Sequence, residues 1–117
     1  MEIASYRRGT VAVVAVSGEL DTMTVGALRE RIVGTGTRQT PGLVLDLSRV
    51  TFVDSAGIRL LIATFVSKSV RPGRMAIAGM SEHVEHLMTV MGMLGRLPSY
   101  GNVENAINAV AAESYAG

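Results

Sequence analysis

Ser55 is the side chain of this sequence best placed to carry chemistry. It stands in Asp54-Ser55-Ala56-Gly57, where a buried-type strand over Leu43–Leu47 and a short loop give way to an apolar helical pattern. A serine in the first turn of a helix lies among backbone N–H groups without partners, at the positive end of the helix dipole. Such a position tolerates an added phosphate. As a nucleophile Ser55 has little support. The order strand, turn, serine, helix resembles a nucleophile elbow, but that elbow needs glycine two residues before the serine, and here the residue is Val53. The two histidines that could act as a base, His83 and His86, lie three apart on a later amphipathic segment and read as solvated helix-face residues. They lack a carboxylate partner set and the HExxH spacing of a zinc site, and the chain has neither a Walker A loop nor GxGxxG. The residues favour a modifiable hydroxyl over a catalytic one. No enzymatic activity, cofactor or metal is expected.

The neighbours of Ser55 have structural readings of their own. Asp54 is suited to be the N-cap of the helix, a role worth about 1 kcal/mol, and this leaves Ser55 in the first turn near solvent. Gly57 is unfavourable in a helix by about 1 kcal/mol relative to Ala, so close backbone approach or partner access is expected there. Leu60 falls on the flank of the helix beside Ser55 and is expected to be exposed. Met75, Met80, Met88, Met91 and Met93 recur at helical spacing and read as core filling rather than a plastic binding surface.

Composition narrows the classes further. The 117 residues suit one domain, spanning 1–117 with its core at about 2–112, and 48% of them are hydrophobic. Eleven basic and ten acidic residues, with no Lys/Arg run, lack the electrostatic footprint of a nucleic-acid binder. Cysteine is absent, which removes thiol catalysis and Cys-based zinc sites and is compatible with a cytoplasmic location. Arg7-Arg8 before the apolar run Val11–Val16 superficially resembles a signal peptide, but the run is too short and leads into a Gly-Glu-Leu-Asp turn. No run approaches the roughly 18 apolar residues of a membrane span, so direct membrane insertion is not expected.

The elements that must position Ser55 read as β-β-α-β-α-β-α-β-α. Strands are expected over 2–7 and 10–17, with a break at Gly18-Glu19-Leu20-Asp21. Asp21, Thr22 and Thr24 are each candidate N-caps for a helix running to about residue 36 on a stripe of Val25, Leu28, Ile32 and Val33. A polar turn over Thr37–Gly42 leads to the strand before Ser55. The helix after Asp54 carries Ile58, Leu61, Ile62, Phe65 and Val66 at helical spacing and stops near Pro72-Gly73. A strand over Arg74–Ala78, a Ser81-capped helix ending at Gly92 and Gly95, a weak strand over Arg96–Ser99 and a helix over Asn102–Ala112 complete the chain. Strands alternating with helices through short loops imply an α/β fold, a mixed sheet with helices packed against it.

Three segments carry a family resemblance: Ser17-Gly18-Glu19-Leu20-Asp21 after an apolar strand, Leu45-Asp46-Leu47 followed by Val53-Asp54-Ser55-Ala56-Gly57, and Met91-Gly92-Met93-Leu94. Together they resemble the STAS domain, and within it the stand-alone anti-sigma factor antagonists of bacteria, over about residues 2 to 112. The resemblance implies a central mixed β-sheet of about five strands with about four helices packed mostly on one side. It implies a regulatory cycle as well. The unphosphorylated protein binds an anti-sigma factor that is a serine kinase, which frees a sigma factor; the kinase phosphorylates Ser55 with its own ATP and so releases the antagonist; a cognate phosphatase resets it. The partner surface so implied comprises Glu19, Asp21, Thr22, Asp54, Ser55, Ala56, Gly57, Arg59 and Leu60, on a monomer or weak dimer. Ala56 stands where many relatives have a second serine, and Arg59 where relatives often have glycine, within one helical turn of Ser55. The alternative is a STAS scaffold subunit of a stress-sensing or transporter-associated assembly, with Ser55 structural.

Overall fold

A computed structural model describes residues 1–35, 41–68, 75–93, 95 and 97–116, with backbone alone at 68 and 112–116. The elements are β1 (Glu2–Arg8), β2 (Val11–Leu20), α1 (Val25–Thr35), β3 (Gly42–Val53), α2 (Ser55–Lys68), β4 (Met75–Ala78), α3 (Glu82–Val90), β5 (Ser99–Tyr100) and α4 (Val103–Ala116). This is the expected order. The strands form one mixed sheet in the order β1-β2-β3-β4-β5, antiparallel between β1 and β2 and parallel thereafter. Two residues, Gly9 and Thr10, join β1 to β2. Gly9 has φ +61° and among the described residues only glycines are left-handed, so the turn has glycine at its first central position as a type II′ hairpin requires.

Alternation along the strands divides the core in two. On one face Ala12, Val14 and Val16 of β2, Leu43, Leu45 and Leu47 of β3, and Met75 and Ile77 of β4 meet Leu28 and Ile32 of α1, Ile58 and Leu61 of α2, and Val84 and Met88 of α3. On the other, Val11, Val13, Val44, Ala76 and Ala78 are covered by Ala106, Ile107 and Val110 of α4. Three helices on one face and one on the other leave β2 and β3 buried from both sides, which is why their sequences read as nearly unbroken apolar runs. Met75 and Met88 are buried and Met80, Met91 and Met93 pack against that core, the filling role expected of them. Ser81 caps α3, its Oγ accepting from the Val84 N–H at 3.3 Å, and the Asn102 Oδ1 accepts from the Asn105 N–H at 2.8 Å ahead of α4.

Several expectations are corrected. Gly18-Glu19-Leu20 does not break β2; the strand runs on to Leu20, with register shifts between Ala15 and Ser17 and between Gly18 and Glu19. β3 extends from Gly42 to Val53 and enters α2 with only Asp54 between them, where a strand of five residues and a loop were expected. The extension is stabilised by pairing Arg49, Val50, Phe52 and Val53 with the tail of β2, a long-range pairing that local sequence does not encode. The weak strand lies at Ser99–Tyr100, because Pro98 has no N–H to donate and joins the sheet through its carbonyl, which accepts from the Ile77 N–H at 2.8 Å. Val33 and Val66 are exposed, since each helix buries only the arc that meets the sheet or its neighbouring helix. The turn over 37–40, the helix stop at Pro72-Gly73, and Arg74, Leu94 and Arg96 lie outside the described residues.

Leu60 is the correction with functional weight. It is 4% exposed rather than displayed at the surface. α2 must meet both the sheet and α1, so its apolar arc is wide enough to include Leu60, which lines a groove of about 290 Å³ with Ile32 of α1 and Thr64 of α2. Leu60→Ala is expected to lower the unfolding free energy by about 2–5 kcal/mol, as for a buried leucine, against less than about 0.5 kcal/mol for an exposed one. Urea denaturation of the variant distinguishes the two.

Candidate functional site

β2 and β3 run parallel and, through two register shifts, stay paired to their ends, Leu20 opposite Val53, so the turn into α1 and the start of α2 emerge side by side. The outer side of strand C-termini in an open α/β sheet is where such folds present their functional groups.

The turn before α1 is built by Asp21 and Thr24. The Asp21 Oδ1 accepts from the N–H of Met23 at 2.9 Å and of Thr24 at 3.1 Å, while the Thr24 hydroxyl accepts from the Asp21 N–H at 3.0 Å and donates to the Glu19 carbonyl at 2.8 Å. Of the three candidate caps, Asp21 is thus the one whose carboxylate accepts the amides of Met23 and Thr24, in the turn just ahead of α1. Its half-buried side chain is occupied by structure.

Asp54 performs the parallel task for α2 and ties it to this turn. One carboxylate oxygen, Oδ1, accepts from the Gly57 N–H at 3.1 Å, the geometry of an N-cap. The other, Oδ2, accepts from the Thr22 N–H at 3.3 Å and the Thr22 hydroxyl at 3.4 Å. The backbone closes the same junction, the Asp54 N–H donating to the Leu20 carbonyl at 3.2 Å. The Gly57 N–H above all, followed by donors on Thr22 and Ala56, holds the Asp54 carboxyl below its ordinary value against the partial desolvation that pushes it up.

Gly57 shows why the helix can start so close to the strand. A Cβ at this position would stand 2.8 Å from the Leu20 carbonyl oxygen, 2.8 Å from Val53 Cγ1 and 2.9 Å from Leu20 Cγ. Of the two expected roles it has close approach. It is buried, so it offers a partner no surface.

Ser55 is the first residue of α2 and is exposed. Among the described residues its hydroxyl has no hydrogen-bond partner, and neither histidine reaches it. Ala56 beside it is half-buried, and Glu19, Thr22 and Arg59 are exposed. Arg59 lies four residues along the helix from Ser55, on the same face, and among the described residues it makes no ion pair. The structure therefore brings Glu19, Thr22, Asp54, Ser55, Ala56 and Arg59 to one end of the sheet, and removes Gly57 and Leu60 from the surface.

Two features escaped the sequence reading. Met23, between Thr22 and Thr24, is 90% exposed, and Phe52, in the strand leading to Ser55, is 41% exposed with its ring stacked on His83 at 5.9 Å between centroids. The sequence held a partial signal for Phe52, since Val50 and Val53 stand three residues apart, a spacing that regular strand alternation cannot place on one face; the structure buries both and leaves Phe52 outward.

Residues 3–98 match the family described as Mlab, STAS domain. The anti-sigma F factor antagonist of Paenibacillus polymyxa is 30% identical over 103 residues, 87% of each chain. This chain belongs to the STAS-domain anti-sigma factor antagonist family. The anti-sigma-F factor antagonist of Mycobacterium tuberculosis is 38% identical over 80 residues, 67% of this chain and 66% of that protein. The crystal structure of an anti-sigma factor antagonist from Mycobacterium paratuberculosis superposes with a TM-score of 0.83 at 29% identity, covering 94% of this chain and 93% of that one.

Two substitutions test the junction. Ala in place of an exposed helical glycine would stabilise by about 1 kcal/mol, whereas Gly57→Ala is expected to destabilise by about 1–3 kcal/mol, since the carbonyl it meets belongs to a strand. The sign of the change in urea midpoint decides. For Asp54, the folded value lies below the ordinary 3.8, so its contribution to stability is complete above that pH and is lost as pH falls through the lowered folded value. Asp54→Asn, which cannot titrate, should flatten the acid limb of the stability profile; an acid limb identical to wild type would contradict the assignment.

Proposed function

We propose that this chain is an anti-sigma factor antagonist that works by partner switching. Its unphosphorylated form binds an anti-sigma factor of serine-kinase type and frees the sigma factor held by it. The kinase transfers a phosphoryl group from its own ATP to the Ser55 hydroxyl, the antagonist dissociates, and a phosphatase restores the hydroxyl. The nucleotide belongs to the partner, and this chain acts as a regulated ligand rather than as an enzyme. Similarity to antagonists from two bacteria supports the class. The observation that carries the role of Ser55 is its exposed, unpartnered hydroxyl on the first residue of α2.

The physics of the switch follows from that position. A phosphate adds about −1.5 to −2 charges. The dipole at the start of α2 favours that charge, Arg59 lies one turn away to pair with it, and the Asp54 carboxylate, which already takes the first-turn amides, is turned into its bonds with Gly57 and Thr22. The fold therefore keeps the charge without strain. The partner does not, because a surface shaped around a small hydroxyl must bury an unpaired dianion at a cost of several kcal/mol, each 1.4 of which is tenfold in affinity. Glu19, Thr22, Asp54, Ala56 and Arg59 rim the contact, and the exposed Met23 and Phe52 are its apolar contributors.

Titration calorimetry against the cognate serine-kinase anti-sigma factor tests this. Ser55→Asp is expected to weaken binding by about 100-fold or more while its thermal midpoint stays near that of wild type, and Ser55→Ala to bind normally yet resist phosphorylation. A folded Ser55→Asp variant that binds like wild type would falsify the reading.

A further inference from the structure

β1 forms one edge of the sheet: its seven residues pair with β2 on one side and, among the described residues, with no strand on the other. Six of the seven are exposed, an unusually open edge for a strand of this length. Its phase can be read from two observations. The Arg31 guanidinium of α1 donates to the Ile3 carbonyl at 3.4 Å, so that carbonyl points away from β2. The two-residue turn makes Arg8 and Val11 the closing pair of the hairpin, which directs the even-numbered backbone groups of β1 toward β2. Ile3, Ser5 and Arg7 therefore present their N–H and C=O groups outward, and Arg31 occupies one of those six groups.

The sequence of this edge is complementary to itself. About a two-fold axis through Ser5, an antiparallel second copy sets Ser5 against Ser5, Ile3 against Arg7, Ala4 against Tyr6 and Glu2 against Arg8. All three outward residues fall in hydrogen-bonded positions, and the two ends bring opposite charges together on each face. On the α4 face Glu2 meets Arg8 of the second copy; Arg8 already pairs with Glu104 at 2.8 Å and its five N–H groups leave donors free. On the α1 face Arg7 of the second copy lies over Ile3, beside a groove lined by Ser5, Ala27, Glu30 and Arg31, so that the Glu30 carboxylate is its counter-charge, while the Arg31 guanidinium, which also donates to Ser5 Oγ at 3.2 Å, is a like charge that opposes it. We infer that β1 is a self-association edge, joining two copies into one continuous ten-stranded sheet through a β1–β1 pairing centred on Ser5, with Arg31 as the side chain that restrains it.

A pairing this short buries little area and makes a weak dimer. Analytical ultracentrifugation of wild type from about 10 μM to about 1 mM should show the average mass rising from 12.4 kDa toward twice that value. Ser5→Pro removes an outward N–H that β2 does not use and is expected to abolish the rise; Arg31→Ala frees the Ile3 carbonyl and should lower the dissociation constant several-fold. Because the chain has no cysteine, a single introduced thiol reports register: Ser5→Cys places two thiols directly opposite, with Cα atoms about 5.5 Å apart, and should cross-link rapidly under mild oxidation, whereas Tyr6→Cys, opposite Ala4, should not. The inference is overturned by a wild type monomeric up to 1 mM, by a folded Ser5→Pro that associates like wild type, or by equal cross-linking of the two cysteine variants. If Ser5→Pro fails to fold, the cysteine pair still decides. None of these readouts depends on phosphorylation of Ser55.

Discussion

The contact between Gly57 and the Leu20 carbonyl governs the arrangement of everything around Ser55. With no side chain at Gly57, the first turn of α2 lies against the end of β2, and β3 passes into the helix through Asp54 alone. That proximity lets one carboxylate, Asp54, cap its own helix through the Gly57 N–H and hold the neighbouring turn through Thr22. A bulkier residue would push the helix start outward by the tenths of an ångström that these 3.1–3.4 Å bonds cannot absorb.

The same constraint separates the Ser55 hydroxyl from the machinery that supports the fold. Asp21, Thr24, Asp54 and Gly57 are committed to hydrogen bonds or packing within the junction, whereas the Ser55 hydroxyl is exposed and has no hydrogen-bond partner among the described residues. A modification at Ser55 therefore meets a rigid platform and alters the charge and shape offered to a partner, leaving the folding free energy to the two apolar layers on either side of the sheet. Exposed Met23 and the Phe52–His83 stack extend that platform with apolar surface of the kind protein interfaces use.

Element order and fold class were legible because helical and strand periodicities hardly compete in this chain: the all-apolar run of β2 and the three-to-four spacing of Val84, Leu87 and Met88 admit one interpretation each. The capping roles of Asp54 and Ser81 were legible for the same reason, being local. What was not legible depends on tertiary contact. The extension of β3 to Val53 exists through pairing with the irregular tail of β2, and the burial of Leu60 exists because α1 lies across α2. For the candidate site, residue types singled out Ser55 and Asp54, but only the fold distinguishes Gly57, which fits beneath a strand end, from Arg59, which faces solvent.

The most direct test of this account is a comparison of amide NMR spectra and thermal midpoints of the unmodified protein and of protein carrying phosphoserine at position 55. The account predicts chemical-shift changes confined to the Glu19–Thr24 turn and the first turns of α2, a phosphate resonance that responds to Arg59→Ala, and a thermal midpoint within a few degrees of the unmodified chain. Shift changes spread through both apolar layers, or a collapse of the thermal midpoint, would show that the phosphate acts on the fold rather than on the surface and would contradict it.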